Sequence, residues 1–198
     1  MHMQIDGNGW LTGVRRAVSP HCDARVEADD ISLLVIHGIS LPPGDFGGPF
    51  IEQLFLGELN AAAHPYFATL QGLRVSSHFL IRRDGEIIQY VSGLDRAWHA
   101  GVSQLAGRER CNDFSIGIEL EGSDEHRYAE PQYLALVGVT LALQARWPAI
   151  DNSRIKGHEQ IAPGRKTDPG PAFDWLRYRA LLAVEAAKGN QVARKSVQ

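Results

Sequence analysis

The chain of 198 residues has only two cysteines, Cys22 and Cys111, which lie 89 positions apart with no partner at CxxC spacing. That pattern excludes the disulfide framework of a small secreted domain and reads as two free thiols in a reducing compartment. A cysteine metal ligand is disfavoured, because the only histidine beside either cysteine is His21, next to Cys22. A basic surplus is also missing. The 20 Lys and Arg against 23 Asp and Glu give a formal charge of −3, with no polybasic tract to follow a phosphate backbone, so nucleic acid is not an expected partner. No apolar run reaches the roughly eighteen residues of a membrane helix. The first thirty residues carry Asp6, His21, Asp23, Glu27, Asp29 and Asp30 and contain no signal-peptide core. The expectation is a cytoplasmic protein with no membrane partner.

What is present suits one globular domain: 44% apolar and 22% charged residues in a length that supports a single core. Met1 to Arg16 is glycine-rich and reads as an edge strand or an arm. The domain is expected over residues 19–187, after an arm of residues 1–18 and before a polar, fraying tail of residues 188–198. Ile31 to His37 (ISLLVIH) is a branched apolar run typical of a buried strand, ending at a histidine, and the glycines and prolines of Gly38 to Pro49 make a loop. Phe50 to Ala62 carries apolar residues at helical spacing. Val75 to Ile81 and Glu86 to Val91 flank Arg83-Asp84-Gly85 and predict a hairpin. Phe114 to Glu121 alternates, with Ile116, Ile118 and Leu120 on one face and Gly117, Glu119 and Glu121 on the other. Pro131 to Trp147 and Phe173 to Ala187 predict amphipathic helices. Ile155 to His158 is a short strand leading into a loop from Glu159 to Pro171. Strands alternating with helices predict an α/β (α+β) fold, a mixed central sheet flanked by helices.

Apart from His21, beside Cys22, the eight histidines divide into two groups. His2, His64 and His126 sit in polar or terminal settings and read as surface residues. His37, His78, His99 and His158 each follow or interrupt a strand-like segment, where a histidine is either a satisfied core residue or a ligand. The joint pattern is more informative than any one of them. His37 and His158 end predicted strands, and Asp168 follows ten residues after His158 in a loop stiffened by Pro163, Pro169 and Pro171. Two imidazoles and one carboxylate satisfy three positions of a tetrahedral zinc ion and leave the fourth open, the arrangement of catalytic sites. No HExxH motif is present, so the inference requires the fold to gather distant segments. Glu119, opposite the apolar face of its strand, is either a general base or a solvated strand carboxylate. Lys166, two residues before Asp168, is either an oxyanion partner or a surface lysine.

The runs HGISLPPGDFGGPFIEQLF, RVSSHFLIRRDGEIIQYV, RAWHAGVSQLAGRERCNDFSIGIELEG and GHEQIAPGRKTDPGPAFDW, together spanning about Ser19 to Trp175, resemble the N-acetylmuramoyl-L-alanine amidases. That zinc amidase superfamily also holds the peptidoglycan recognition proteins. The resemblance is to the cytoplasmic branch acting on anhydromuramyl peptides. It implies a mixed sheet with flanking helices, zinc on His37, His158 and Asp168, Glu119 as catalytic base, and Lys166 assisting the transition state. It further implies that Arg74 and Arg110 clamp stem-peptide carboxylates, as an arginine fork suits. Ala97 to Ala100 would line the sugar or peptide side, with Trp98 offering an apolar face, while His78 and His99 support the site. The third ligand is often cysteine in recognition proteins, and Asp168 here favours the recycling branch. The lineage's first motif commonly reads His-Asn, and the departure to His37-Gly38 removes any hydrogen bond of that side chain.

The activity so implied is hydrolysis of the amide between the lactyl group of 1,6-anhydro-N-acetylmuramic acid and L-alanine, by a monomer. Depletion of such muropeptides would lower β-lactamase induction in bacteria that sense them. The rival readings are an amidase of intact peptidoglycan, a non-catalytic muropeptide-binding module and a general metallopeptidase.

Overall fold

A computed structural model describes residues 3–27 and 29–195. Its ten strands, in chain order, are β1 (Arg15–Arg16), β2 (Cys22–Ala24), β3 (Leu33–Ile39), β4 (Phe79–Ile81), β5 (Ile87–Gln89), β6 (Asp95–Ala97), β7 (Gln104–Leu105), β8 (Arg108–Glu109), β9 (Ser115–Glu121) and β10 (Ile155–Gly157). The four α-helices are α1 (Phe50–Leu56), α2 (Glu130–Arg146), α3 (His158–Ile161) and α4 (Trp175–Lys195). Six strands form the central sheet in the order β1-β5-β4-β9-β3-β10. Only β4 and β5 pair antiparallel within it, so the sheet is mixed as expected.

The hairpin forms where the Asp-Gly pair predicts it. Gly85 has φ 90°, a conformation open to glycine, and the Asp84 carboxylate accepts the Glu86 N–H at 2.9 Å. Helix α1 ends six residues earlier than its apolar spacing suggests. Gly57 turns left-handed at φ 74° and the Glu58 N–H donates to Gln53 O at 2.7 Å, a termination that periodicity does not register. Helix α4 starts at Trp175, because the Asp174 side chain accepts the Arg177 N–H at 2.9 Å as an N-cap. It then continues past Ala187 to Lys195, into the segment expected to fray. In the segment read as an edge strand or an arm, β1 lies parallel to β5 at the sheet edge, and Leu11 is fully buried in the largest core.

Strand parity divides the faces. Leu34, Ile36, Ile116, Ile118 and Leu120 share one core with Leu136, Val139 and Leu143 of α2 and with Tyr178 and Leu182 of α4. The alternate residues Leu33 and Val35 face the opposite side, packing with Ala100, Cys111, Phe114 and Ile161. On that side α1 forms a further cluster with Leu80, Ile88 and Tyr90. A residue continuing the Leu33, Val35 series therefore projects away from α2 and α4, and His37 is that residue.

Candidate metal centre

Register brings the polar residues together. In the parallel pair of β3 and β9, His37 stands opposite Glu119, on the face that Leu33 and Val35 begin. On the other flank Gly157 of β10 stands opposite Ile36, so the next residue, His158, arrives beside His37. His37 does not end its strand, because pairing with β9 continues to Ile39 and Glu121. His158 does not end β10 but opens α3, a single helical turn in a stretch read as loop. The Gln160 side chain accepts the Gly157 N–H there at 2.9 Å.

Asp168 completes the group. His37 Nδ1, His158 Nδ1 and Asp168 Oδ2 stand 3.0 Å from one another in all three pairings. The two rings are 1% and 2% exposed. Each outer nitrogen has a partner of its own. His158 Nε2 lies 3.0 Å from the Ala100 carbonyl, so it carries the proton. His37 Nε2 lies 2.9 Å from His99 Nδ1, and His99 Nε2 lies 3.2 Å from Ser115 Oγ. Protons on His37 Nε2 and His99 Nε2 satisfy both contacts. Both Nδ1 lone pairs then face the Asp168 carboxylate, so three acceptors converge with no donor among them. Such a cluster calls for a cation. The ligands of a tetrahedral zinc ion at about 2.0–2.1 Å stand about 3.3 Å apart, close to the spacing found. His37, His158 and Asp168 form a zinc-binding site whose ligand atoms lie within 4.8 Å of one another.

The electrostatics suit that ion. Burial pushes the His37 imidazolium down to about 4, leaving the ring neutral and able to bind metal. Burial alone would raise Asp168, but positive charge on the facing His158 and His37 rings outweighs it and holds the carboxyl well below the usual range, and a bound cation supplies that charge where the rings are neutral. Glu119 is different. Burial first, and then the Asp168 charge, lift its carboxyl well above the ordinary value, while Lys166 opposes them. Its Oε1 lies 3.9 Å from His37 Nδ1, and its buried Oε2 meets no hydrogen-bond partner among the described residues. An unpaired carboxylate beside three metal ligands is poised to exchange a proton.

His99 is held as a support. Its ring stands edge-on to His37 and lies over Gly117, where a Cβ would come within 2.6 Å of the ring. Asn112 Oδ1 accepts the His99 N–H at 3.2 Å. His78 accepts the Gly117 N–H at Nδ1 over 3.0 Å and lies one layer further back. Replacing Gly117 by alanine should push His99 off His37 and destabilise the fold by about 1–3 kcal/mol through overpacking, read as a lower Tm. An unchanged Tm would show that the ring has room to move.

Lys166 is exposed in the loop before Asp168. Arg74 is exposed and lies over the Trp98 ring at 5.4 Å, and Trp98 stacks on His21 at 6.1 Å and donates its indole N–H to Asp23. Arg110, mostly exposed, pairs with Asp113 at 3.1 Å. The Ala97 methyl is fully buried in the cluster around α1, because β6 pairs with β2 and turns it inward. His64 caps a 3-10 turn and His126 sits against Phe46, as surface residues can, while His2 lies outside the described residues. Sequence reasoning missed Arg165. Its guanidinium donates to Ala100 O at 2.6 Å and Val102 O at 2.7 Å, tying the ligand loop to the segment that fixes His158. No local pattern distinguishes it from a surface arginine.

Known proteins share this arrangement of chain. The family profile described as N-acetylmuramoyl-L-alanine amidase matches residues 27–171. The 1,6-anhydro-N-acetylmuramyl-L-alanine amidase AmpD of Citrobacter freundii is 61% identical over 180 residues, covering 91% of this chain and 96% of that protein. The crystal structure of a selenomethionine derivative of AmpD superposes with a TM-score of 0.88 at 60% identity, over 91% of this chain and 99% of that one. The amidase AmiD of E. coli, solved with anhydro-N-acetylmuramic acid-L-Ala-D-γ-Glu-L-Lys, superposes with a TM-score of 0.58 at 28% identity, over 90% of this chain and 65% of that one. With the family profile spanning the strands and loops that carry all three ligands, this chain belongs to the N-acetylmuramoyl-L-alanine amidase family.

Proposed function

We propose that this protein hydrolyses the amide joining the lactyl group of 1,6-anhydro-N-acetylmuramic acid to L-alanine in soluble muropeptides. The observation that carries the chemistry is the convergence of His37, His158 and Asp168 with the unpaired Glu119 carboxylate beside them. The substrate class is supported by the 61% identity to AmpD over nearly the whole of both chains. Zinc held there supplies a Lewis acid for the scissile carbonyl and acidifies water. Glu119 accepts the proton of the attacking water and returns it to the departing alanine nitrogen. Lys166, whose charge reaches Glu119 and His37, holds the oxygen that becomes negative in the transition state. Arg74 and Arg110 bind the carboxylates of the stem peptide and Trp98 packs on its apolar part, with Arg74 already lying over the Trp98 ring.

The catalytic domain in this reading is residues 19–187, acting as a cytoplasmic monomer with neither nucleic acid nor membrane as a partner. Both cysteines are free, as that compartment requires. Removing the soluble muropeptides would lower β-lactamase induction where bacteria sense them. Mass spectrometry of the products tests the reading. Zinc-loaded protein should release tripeptide rapidly from anhydromuramyl-tripeptide and act only slightly on intact sacculi. Preferential release of stem peptides from sacculi would place it among wall-degrading amidases. Binding without cleavage would make it a recognition module, and cleavage of a peptide lacking the muramyl lactyl group would make it a metallopeptidase.

A further inference from the structure

Tyr128 has no task in the mechanism above, yet its hydroxyl lies between the two segments that carry metal ligands. The residue sits just before α2 and is 5% exposed, its ring edge-on to Phe173 at 5.5 Å. Two glycines make its seat. A Cβ at Gly122, just beyond β9, would overlap the ring, and a Cβ at Gly38, directly after His37, would overlap the hydroxyl. From that seat the hydroxyl donates a buried hydrogen bond of 2.9 Å to the carbonyl of Pro169, the residue directly after Asp168. The other side of the loop is tied to the chain near His158, where the Asp168 carbonyl accepts the Glu159 N–H at 3.0 Å. The Tyr128 bond therefore ties the Asp168 loop on the β3 side, across the bare backbone of Gly38.

We propose that Tyr128 is a positioning residue of the metal centre: by donating to Pro169 O over Gly38, it sets the spacing between the loop bearing Asp168 and the strand bearing His37. This rests on the reading of His37, His158 and Asp168 as metal ligands. Removing the hydroxyl leaves a buried carbonyl unpaired and frees the loop to drift, while the aromatic ring that packs on Phe173 stays. The carboxylate then leaves the position in which it meets both imidazoles at 3.0 Å. Gly38 takes part because a methyl there displaces the hydroxyl. Without the hydroxyl the nearest ring atom, Cζ, is 3.5 Å from that methyl, an ordinary contact.

Three variants, Tyr128→Phe, Gly38→Ala and the double variant, test this by zinc affinity against a chromophoric chelator and by the Tm of each metal-free protein. Tyr128→Phe should bind zinc about 10–100-fold more weakly, the range for partners that orient a ligand. Gly38→Ala should weaken zinc binding when Tyr128 is intact and have no further effect when combined with Tyr128→Phe. A purely structural role would lower the metal-free Tm and leave zinc affinity within about twofold of wild type, which overturns the proposal. Additive effects of the two substitutions overturn it as well. If Tyr128→Phe does not fold, Gly38→Ala alone decides, with weaker zinc binding at an unchanged metal-free Tm supporting the proposal and unchanged binding refuting it. Failure of the wild-type protein to take up zinc would instead sink the metal reading on which this rests.

Discussion

Glu119→Gln is expected to keep its zinc and lose amide hydrolysis by about 10²–10⁴-fold, the range assigned to a positioned general acid or base. The substitution preserves shape and changes one property, the ability of the buried oxygen to take a proton. Glu119 stands opposite His37 in the β3–β9 register, on the polar side of a strand whose other face is sealed by α2 and α4. Its Oε2 is without a hydrogen-bond partner among the described residues, so glutamine forfeits no ion pair there. The measurement is kcat on anhydromuramyl-tripeptide beside the metal content of the same sample. A variant within about tenfold of wild type would remove Glu119 from the mechanism. The wild-type pH profile carries a second sign. Burial raises this carboxyl, and the base works only as the carboxylate, so the rate should fall as pH is lowered through the raised value. The glutamine variant should lack that acid limb.

Asp168→Ala is expected to weaken zinc binding by more than about 100-fold and to abolish turnover, since even partners that merely orient a ligand are worth about 10–100-fold. Asp168 is the sole anion among the three ligands, and its Oδ2 meets both imidazole nitrogens at 3.0 Å. Its removal leaves two neutral nitrogens for a dipositive ion. Equilibrium dialysis with zinc, run on protein whose far-UV circular dichroism matches wild type, gives the test. Retention of near-stoichiometric zinc at micromolar concentration would mean that another group serves as third ligand. Acidification should release metal from the wild-type protein by protonating its ligands. At His37 that competition begins only toward pH 4, because burial holds the imidazolium down to about 4.

Local pattern was sufficient for the main strands of the central sheet and the two long helices, while the short strands β2, β6, β7 and β8 carried no such signal. The Asp-Gly turn, the alternation of FSIGIELE and the branched run before His37 each express a preference satisfied within a few residues, and each element formed. Boundaries were less legible where a single residue decided them. Gly57 ended α1 by turning left-handed, Asp174 delayed α4 by capping it, and Gln160 helped α3 form by reaching back to Gly157. The chemical types of the ligands, two histidines and an aspartate, were visible in the sequence, and so was the polar side of the strand bearing Glu119. Their roles followed from the family resemblance, because His78 and His99 stand in equally strand-like settings.

The sequence by itself determined which residues alternate, where the hairpin turns and which side chains are able to bind zinc, since these depend on neighbours along the chain. Tertiary structure alone decided that His37 faces Glu119 across β3 and β9 and that His158 arrives beside His37 from β10. It likewise decided that His99 rests on Gly117, that Ala97 turns inward and that Tyr128 reaches over Gly38 to Pro169. The physical reason is the parallel pairing of β3 with β9 and β10. Parallel partners are joined through long crossovers, so their register is set by how the whole sheet packs against α2 and α4 and leaves no trace in local spacing.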